Sequence, residues 1–135
     1  DVPTGSYDEV EFKIHKVSAS DTGAARVAFR HANPDLLDKS IKVTGTFNGQ
    51  AFTFESDLNV KQENKLATPL VINNQTTSTN LTVRVDLGTW FKTAAGTLIN
   101  PTTANKGQPN ENLVKDNIKA SFKVFEDKDK DGNEG

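Results

Sequence analysis

Apolar and charged residues alternate from Tyr7 to Ile14, where Val10, Phe12 and Ile14 are separated by Glu11 and Lys13, the period of a strand with one wet face. Two further alternating runs, Ile41 to Phe47 and Gln50 to Glu55, flank Asn48-Gly49. That dipeptide tolerates the positive φ values of a type I′ turn, so the segment predicts a hairpin with Ile41, Val43 and Phe47 facing one way and Phe52 and Phe54 sharing a face. Leu58 and Val60 carry the pattern toward a second run, Leu66 to Ile72, in which Pro69 predicts an edge strand or a bulge before Asn73-Asn74 turns the chain. Leu81 to Leu87 reads as the next strand, with Leu81, Val83 and Val85 inward. Leu87, Trp90 and Phe91 then stand at i, i+3 and i+4, the spacing of a helical turn that lays both rings on a core.

Between these runs the alternation lapses. Ser18 to Lys39 reads chiefly as a long connection, with a short strand or helical turn around Arg26 to Phe29 and another helical turn at Asp35 to Leu37. Ala94 to Pro109 is polar and rich in turn formers. From Asn110, a capping residue, Val114, Ile118, Phe122 and Phe125 fall near helical spacing and predict a helix over Asn110 to Lys119. A strand over Ile118 to Phe125 competes, because Ile118, Ala120, Phe122 and Val124 also alternate. No repeat and no shift in composition divides the chain. The expectation is one domain, residues 1–135, mainly β: an antiparallel β-sandwich with one or two short helices. Its predicted core is Val10, Phe12, Ile14, Val43, Phe47, Phe52, Phe54, Leu81, Val83, Val85, Trp90, Ile118 and Phe122.

Composition narrows the class. A chain of 135 residues buries roughly two thirds of its unfolded surface and can stand without disulfides; cysteine and methionine are both absent. The net charge of −2 and pI near 5.7 leave no basic surplus for phosphates, so nucleic acid is not an expected partner. No apolar stretch approaches the length of a membrane span, and no signal peptide is recognisable. The chain begins at Asp1 rather than Met, from which we expect a processed or partial precursor and an extracytoplasmic location, secreted or at the cell surface.

One constellation carries chemistry. Asp127-Lys128-Asp129-Lys130-Asp131-Gly132-Asn133-Glu134 places three carboxylates at alternate positions of a glycine-terminated loop, within an acidic segment spanning 126–134. Ca²⁺ takes six to eight oxygens, and alternation in a curling loop turns every second side chain inward while Gly allows the bend. Asp127, Asp129 and Asp131 match the first donor positions of an EF-hand-like loop, with the Asn133 carbonyl next. A bidentate glutamate at the last position is missing, so Glu134 or an acid such as Asp8, Glu9, Asp86 or Glu126 would have to complete the shell. The competing reading is a solvated tail in which Lys128 and Lys130 nearly balance the acids. Millimolar Ca²⁺ outside the cell fills weak sites of this kind, in keeping with the expected location. The role expected of the ion is structural.

Catalysis finds little support. His15 and His31 lie far apart, and a role for His31 with Asp35 and Asp38 competes with an ordinary surface histidine. No G-x-S-x-G, H-E-x-x-H or phosphate-binding glycine loop is present, so no catalytic residue is expected, although a carboxylate pair of a carbohydrate-active hydrolase depends on the fold. Trp90 reads as a structural anchor rather than a ligand platform. Asn74-Gln75-Thr76 and Asn80-Leu81-Thr82 match the glycosylation sequon, as chance allows in a chain rich in Asn and Thr.

Val2-Pro3-Thr4-Gly5-Ser6-Tyr7, followed at once by an alternating strand, resembles the V-P-x-G-x-Y lead-in of bacterial surface lipoproteins and secreted β-sandwich domains of unknown function. Asp86 to Phe91 and the block Ala104 to Lys123 are similar to the same group. The resemblance implies an exported sandwich, transthyretin-like or immunoglobulin-like, with no activity to carry over. Strands usually precede that turn in such domains, so a first strand would be missing here, and a neighbour's strand could fill the gap. The function expected is therefore a non-catalytic, extracytoplasmic structural or recognition module stabilised by calcium. The alternatives are a surface-filament subunit built by strand exchange, and a carbohydrate-active or carbohydrate-binding domain. Partners would be other copies met through a sheet edge, or a surface polysaccharide.

Overall fold

The computed structural model describes residues 2–134. Along the chain it places β1 (Gly5–Ile14), α1 (Ala24–Ala32), β2 (Ile41–Phe47), β3 (Gln50–Ser56), β4 (Val60–Ile72), β5 (Leu81–Val85), α2 (Glu111–Ala120) and β6 (Phe122–Glu126), with short 3-10 turns at Pro34–Leu36, Leu87–Thr89 and Pro101–Ala104. The strands form three antiparallel two-stranded ribbons, β1–β4, β2–β3 and β5–β6, rather than the two facing sheets of the expected sandwich. The mainly β class with two short helices stands.

Each ribbon follows from its sequence. In β2–β3, Asn48 and Gly49 adopt φ of 51° and 77°, and Phe47 pairs with Gln50 across a two-residue turn. Gly45 faces Phe52 across the ladder, where a Cβ would lie only 3.1 Å from the ring. In β1–β4 the register slips between Tyr7, opposite Leu70, and Glu9, opposite Lys65, so Pro69 falls in the irregular stretch where no ladder bond is demanded of it. The slip also resets side-chain parity, and Tyr7 comes to share a core face with Val10 and Phe12 despite the odd spacing. On the wet face Lys61 pairs with Glu11 at 2.7 Å and with Glu63 at 2.8 Å. The runs Leu58–Val60 and Leu66–Ile72, expected to be separate, thus belong largely to one long strand.

Two clusters of buried side chains hold the ribbons together. Phe54, Leu58, Trp90, Ile99, Val114 and Ile118 form the larger, between β3, α2 and the segment after β5; Phe91 stands edge-on to Phe54 at 5.1 Å. Leu66, Leu70 and Val124 form the smaller, where β6 packs on β4. Phe12 and Phe122, 5.5 Å apart, join the two.

Several expectations need correction. Leu81, Val83 and Val85 are not buried: they are 40%, 48% and 37% exposed, because the packing of β4 on the face they share covers Val124 of β6, while β5 is the outer strand of its ribbon and lies past that cover. Ser18 to Lys39 contains a true helix, α1, with no buried residue. Its apolar and basic residues separate onto different faces, but no residue of the apolar face is fully buried; the helix is held by a loop that Val17 and Lys39 close through a 3.0 Å backbone bond and by Arg30, whose Nη1 donates to the carbonyls of Ser18, Ala19 and Asp21. The segment from Ile118 resolves into helix to Ala120 and strand from Phe122. Asn110 sits at the N-cap of α2, but its side chain donates to Thr103 Oγ1 at 2.9 Å instead of capping the helix.

Candidate metal centre

The acidic loop leaves β6 at Asp127, and the ladder with β5 reaches that residue: its backbone N–H donates to the Asn80 carbonyl at 2.9 Å. Asp127 is consequently buried, unlike the rest of the loop. Its carboxylate accepts from the Thr82 hydroxyl at 2.7 Å and from the backbone N–H groups of Asp131 and Gly132 at 3.2 and 3.1 Å. The Thr82 hydroxyl bond, with the backbone donors behind it, holds the Asp127 carboxyl below the usual carboxylate range against the opposing pull of desolvation. Lys130 and Gly132 adopt φ of 60° and 80°, the left-handed bends that curl the loop back over Asp127.

This curl brings Asp127, Asp129 and Asp131 together, each contributing a carboxylate oxygen within 4.8 Å of the others. Three anionic oxygens at that spacing suit a hard divalent cation better than they suit one another. Asn133 joins them indirectly, through its backbone N–H to Asp131 Oδ1 at 2.7 Å and its amide to Asp131 Oδ2 at 3.2 Å. Of the acids considered for the remaining shell, Asp86 is used elsewhere, accepting from Gly88 N–H at the start of a 3-10 turn. Glu126 accepts from Thr79. Glu134 lines a groove of about 300 Å³ beside the loop, together with Leu66, Thr68, Phe125 and Asp129.

A second acidic group, Glu9, Glu11 and Glu63 on the β1–β4 ribbon, also gathers its oxygens within 4.8 Å, but Lys61 already stands among them. That cluster is an ion-pair network with its cation supplied by the chain. Periodicity could not reveal it, since Glu11 and Glu63 meet only through the β1–β4 register.

Several other polar groups are structurally engaged. His15 Nε2 lies 3.1 Å from Asp21 Oδ1, while Ser18 Oγ bonds to Ser20 Oγ, so Ser18 is not set against the imidazole. Asp21 instead accepts from the Ser18 backbone N–H, which, followed by the His15 contact, lowers its pKa. Asn105 straps the 3-10 turn to β3, donating to the Thr53 carbonyl and accepting from Glu55 N–H. Asp57 receives both Lys106 and Lys115, at 2.9 and 2.8 Å, and Lys115 also binds Glu111 at 2.7 Å. No helix among the described residues is long and apolar enough to cross a membrane. No protein-family model, curated protein or solved structure matches the chain.

Proposed function

We propose that the chain is a non-catalytic structural or recognition module working outside the cytoplasm, whose terminal loop is fastened by Ca²⁺. The observation that carries this reading is the convergence of Asp127, Asp129 and Asp131 on one point, anchored to the β5–β6 ribbon through the buried Asp127 and Thr82. A cation there ties the loop after β6 to a strand pair and neutralises three carboxylates. Its chemistry is fastening: His15 is engaged by Asp21, Ser18 by Ser20, and the acids Glu63 and Asp57 by lysine, rather than grouped around a reaction space. The extracytoplasmic setting is supported by the oxygen set itself: three carboxylates, two of them exposed, suit the weak range of affinity that millimolar Ca²⁺ fills.

The test is calorimetric titration with Ca²⁺ after chelation, in parallel with thermal melting. Saturation at 100 times Kd stabilises by about 2.7 kcal/mol, so the melting temperature rises with Ca²⁺ and falls with chelator. No heat of binding and no Ca²⁺-dependent shift at millimolar concentration would remove the reading.

A further inference from the structure

We propose that β5 is a self-recognition edge, through which two copies of the chain pair antiparallel about a two-fold axis at Val83. The inference goes beyond the cation-fastened reading; its register argument stands without that reading, and its charge argument applies to the chelated chain, in which the three carboxylates keep their charge. It begins with the phase of the β5–β6 ladder. Asp86 N–H donates to the Ser121 carbonyl and Asp127 N–H to the Asn80 carbonyl, which fixes residues 80, 82, 84 and 86 as those that turn their backbone groups toward β6. The N–H and C=O groups of Leu81, Val83 and Val85 therefore point to the opposite edge, where β5 has no ladder partner among the described residues.

Those same three residues carry the exposed apolar side chains, so hydrogen-bonding capacity and uncovered apolar surface coincide on one strand. The β1–β4 ribbon guards its edges, with Asp8, Glu9, Glu11 and Lys13 on β1 and Lys61, Lys65 and Pro69 on β4; β2 and β3 carry one charge each, Lys42 and Glu55, but their Ile41, Val43, Phe47, Phe52 and Phe54 side chains are half-buried or buried. Such charges and prolines deter edge pairing, and β5 offers a single charge, Arg84.

The occupant is argued from register and charge. The antiparallel alignment that overlaps the whole of β5 with itself sets Val83 opposite its own counterpart and Leu81 opposite Val85. All of their free backbone groups are then paired, and the apolar side chains of both copies merge on one face of a four-stranded sheet. Within one chain, Arg84 stands directly opposite Lys123, an unfavourable like-charge pair. Across the seam each Arg84 faces Thr82 of the other copy, the residue whose hydroxyl holds Asp127. Each guanidinium is thereby directed to the other copy's acidic loop, a complementarity that a neutral or basic strand from another protein would not satisfy in both directions. The contact is isologous, so it closes as a dimer and does not propagate as a filament.

Amide exchange followed by NMR at micromolar and near-millimolar protein tests this residue by residue, with sedimentation velocity on the same samples. We expect the amides of Leu81, Val83 and Val85 to exchange fast when dilute and at least tenfold slower when concentrated, while those of Thr82 and Arg84 are protected throughout. Mass should rise with concentration toward twice 14.7 kDa. Val83→Lys should weaken association at least tenfold, and Arg84→Glu, at an exposed position where it also replaces the like-charge pair with Lys123, should weaken it several-fold. A chain that stays monomeric near millimolar overturns the proposal. So does association that leaves the three amides unprotected or propagates past the dimer, which would point to another surface or to strand exchange.

Discussion

Trp90 Nε1 donates to Ser121 Oγ at 2.8 Å, and the serine hydroxyl in turn donates to the Ile118 carbonyl at 2.7 Å, both bonds lying in the buried interior. The pair joins the turn after β5 to the end of α2, thirty-one positions later. It explains how an indole can be buried in the larger cluster without leaving its polar atom unpaired.

Removing the hydroxyl tests that link. Ser121→Ala leaves the indole N–H buried without an acceptor, a cost of about 1–3 kcal/mol. Urea unfolding followed by the fluorescence of Trp90, the sole tryptophan, reads the change directly. A midpoint equal to that of the parent chain would mean that the indole finds another acceptor.

Asp57 makes the stability of the fold depend on acid pH. Its hydrogen bond from Lys115, and then that from Lys106, lowers its pKa from 3.8 to about 2. Since folding depresses this pKa, the stabilisation is fully present above 3.8 and is lost as pH falls through 2, and its size at neutral pH is on the order of 2 kcal/mol. Other carboxylates contribute to acid unfolding, so the informative quantity is a difference. The stability gap between the parent chain and Asp57→Asn should be constant above pH 5 and shrink toward pH 2; a gap independent of pH would show that the ion pairs do not carry it.

The acidic loop allows a sharper discrimination among its own members. Asp129 and Asp131 are exposed, whereas Asp127 is buried and satisfies Thr82 and two backbone N–H groups. Asp129→Asn and Asp131→Asn should therefore abolish the Ca²⁺-dependent rise in melting temperature and leave the chelated protein unchanged. Asp127→Asn should do both, losing the response and about 1–3 kcal/mol of metal-free stability. Equal effects of all three substitutions on the chelated protein would remove the distinction between anchor and ligand.

What could be read from the sequence was local. Asn48-Gly49 determined a hairpin because a type I′ turn admits few residues, and the turn at Leu87 to Phe91 followed from the spacing of two rings. Alternation identified β5, but not which neighbour would cover it. A period of two says that Leu81, Val83 and Val85 share a face, while their burial depends on how many strands the ribbon has, a property of topology. The same limit applies to the sandwich, since alternation is equally compatible with three two-stranded ribbons. At the acidic loop the three aspartates were legible from spacing. The contribution of Thr82 was not, because it arises only from the β5–β6 register.

The corrected core has a direct consequence for side-chain truncation. Phe54 is 1% exposed and packs edge-on against Phe91, whereas Val85, at 37%, borders solvent. Alternation alone ranks both as core positions. The structure separates them: Phe54→Ala opens a cavity between β3 and α2 and should cost about 3–5 kcal/mol, in the range of large buried truncations. Val85→Ala should cost under about 1 kcal/mol in dilute solution, where its face is wet, because little apolar area returns to water. Chemical denaturation of both variants at low protein concentration measures the contrast. Comparable losses at the two positions would mean that β5 is covered within a single chain, and would place Val85 back in the core.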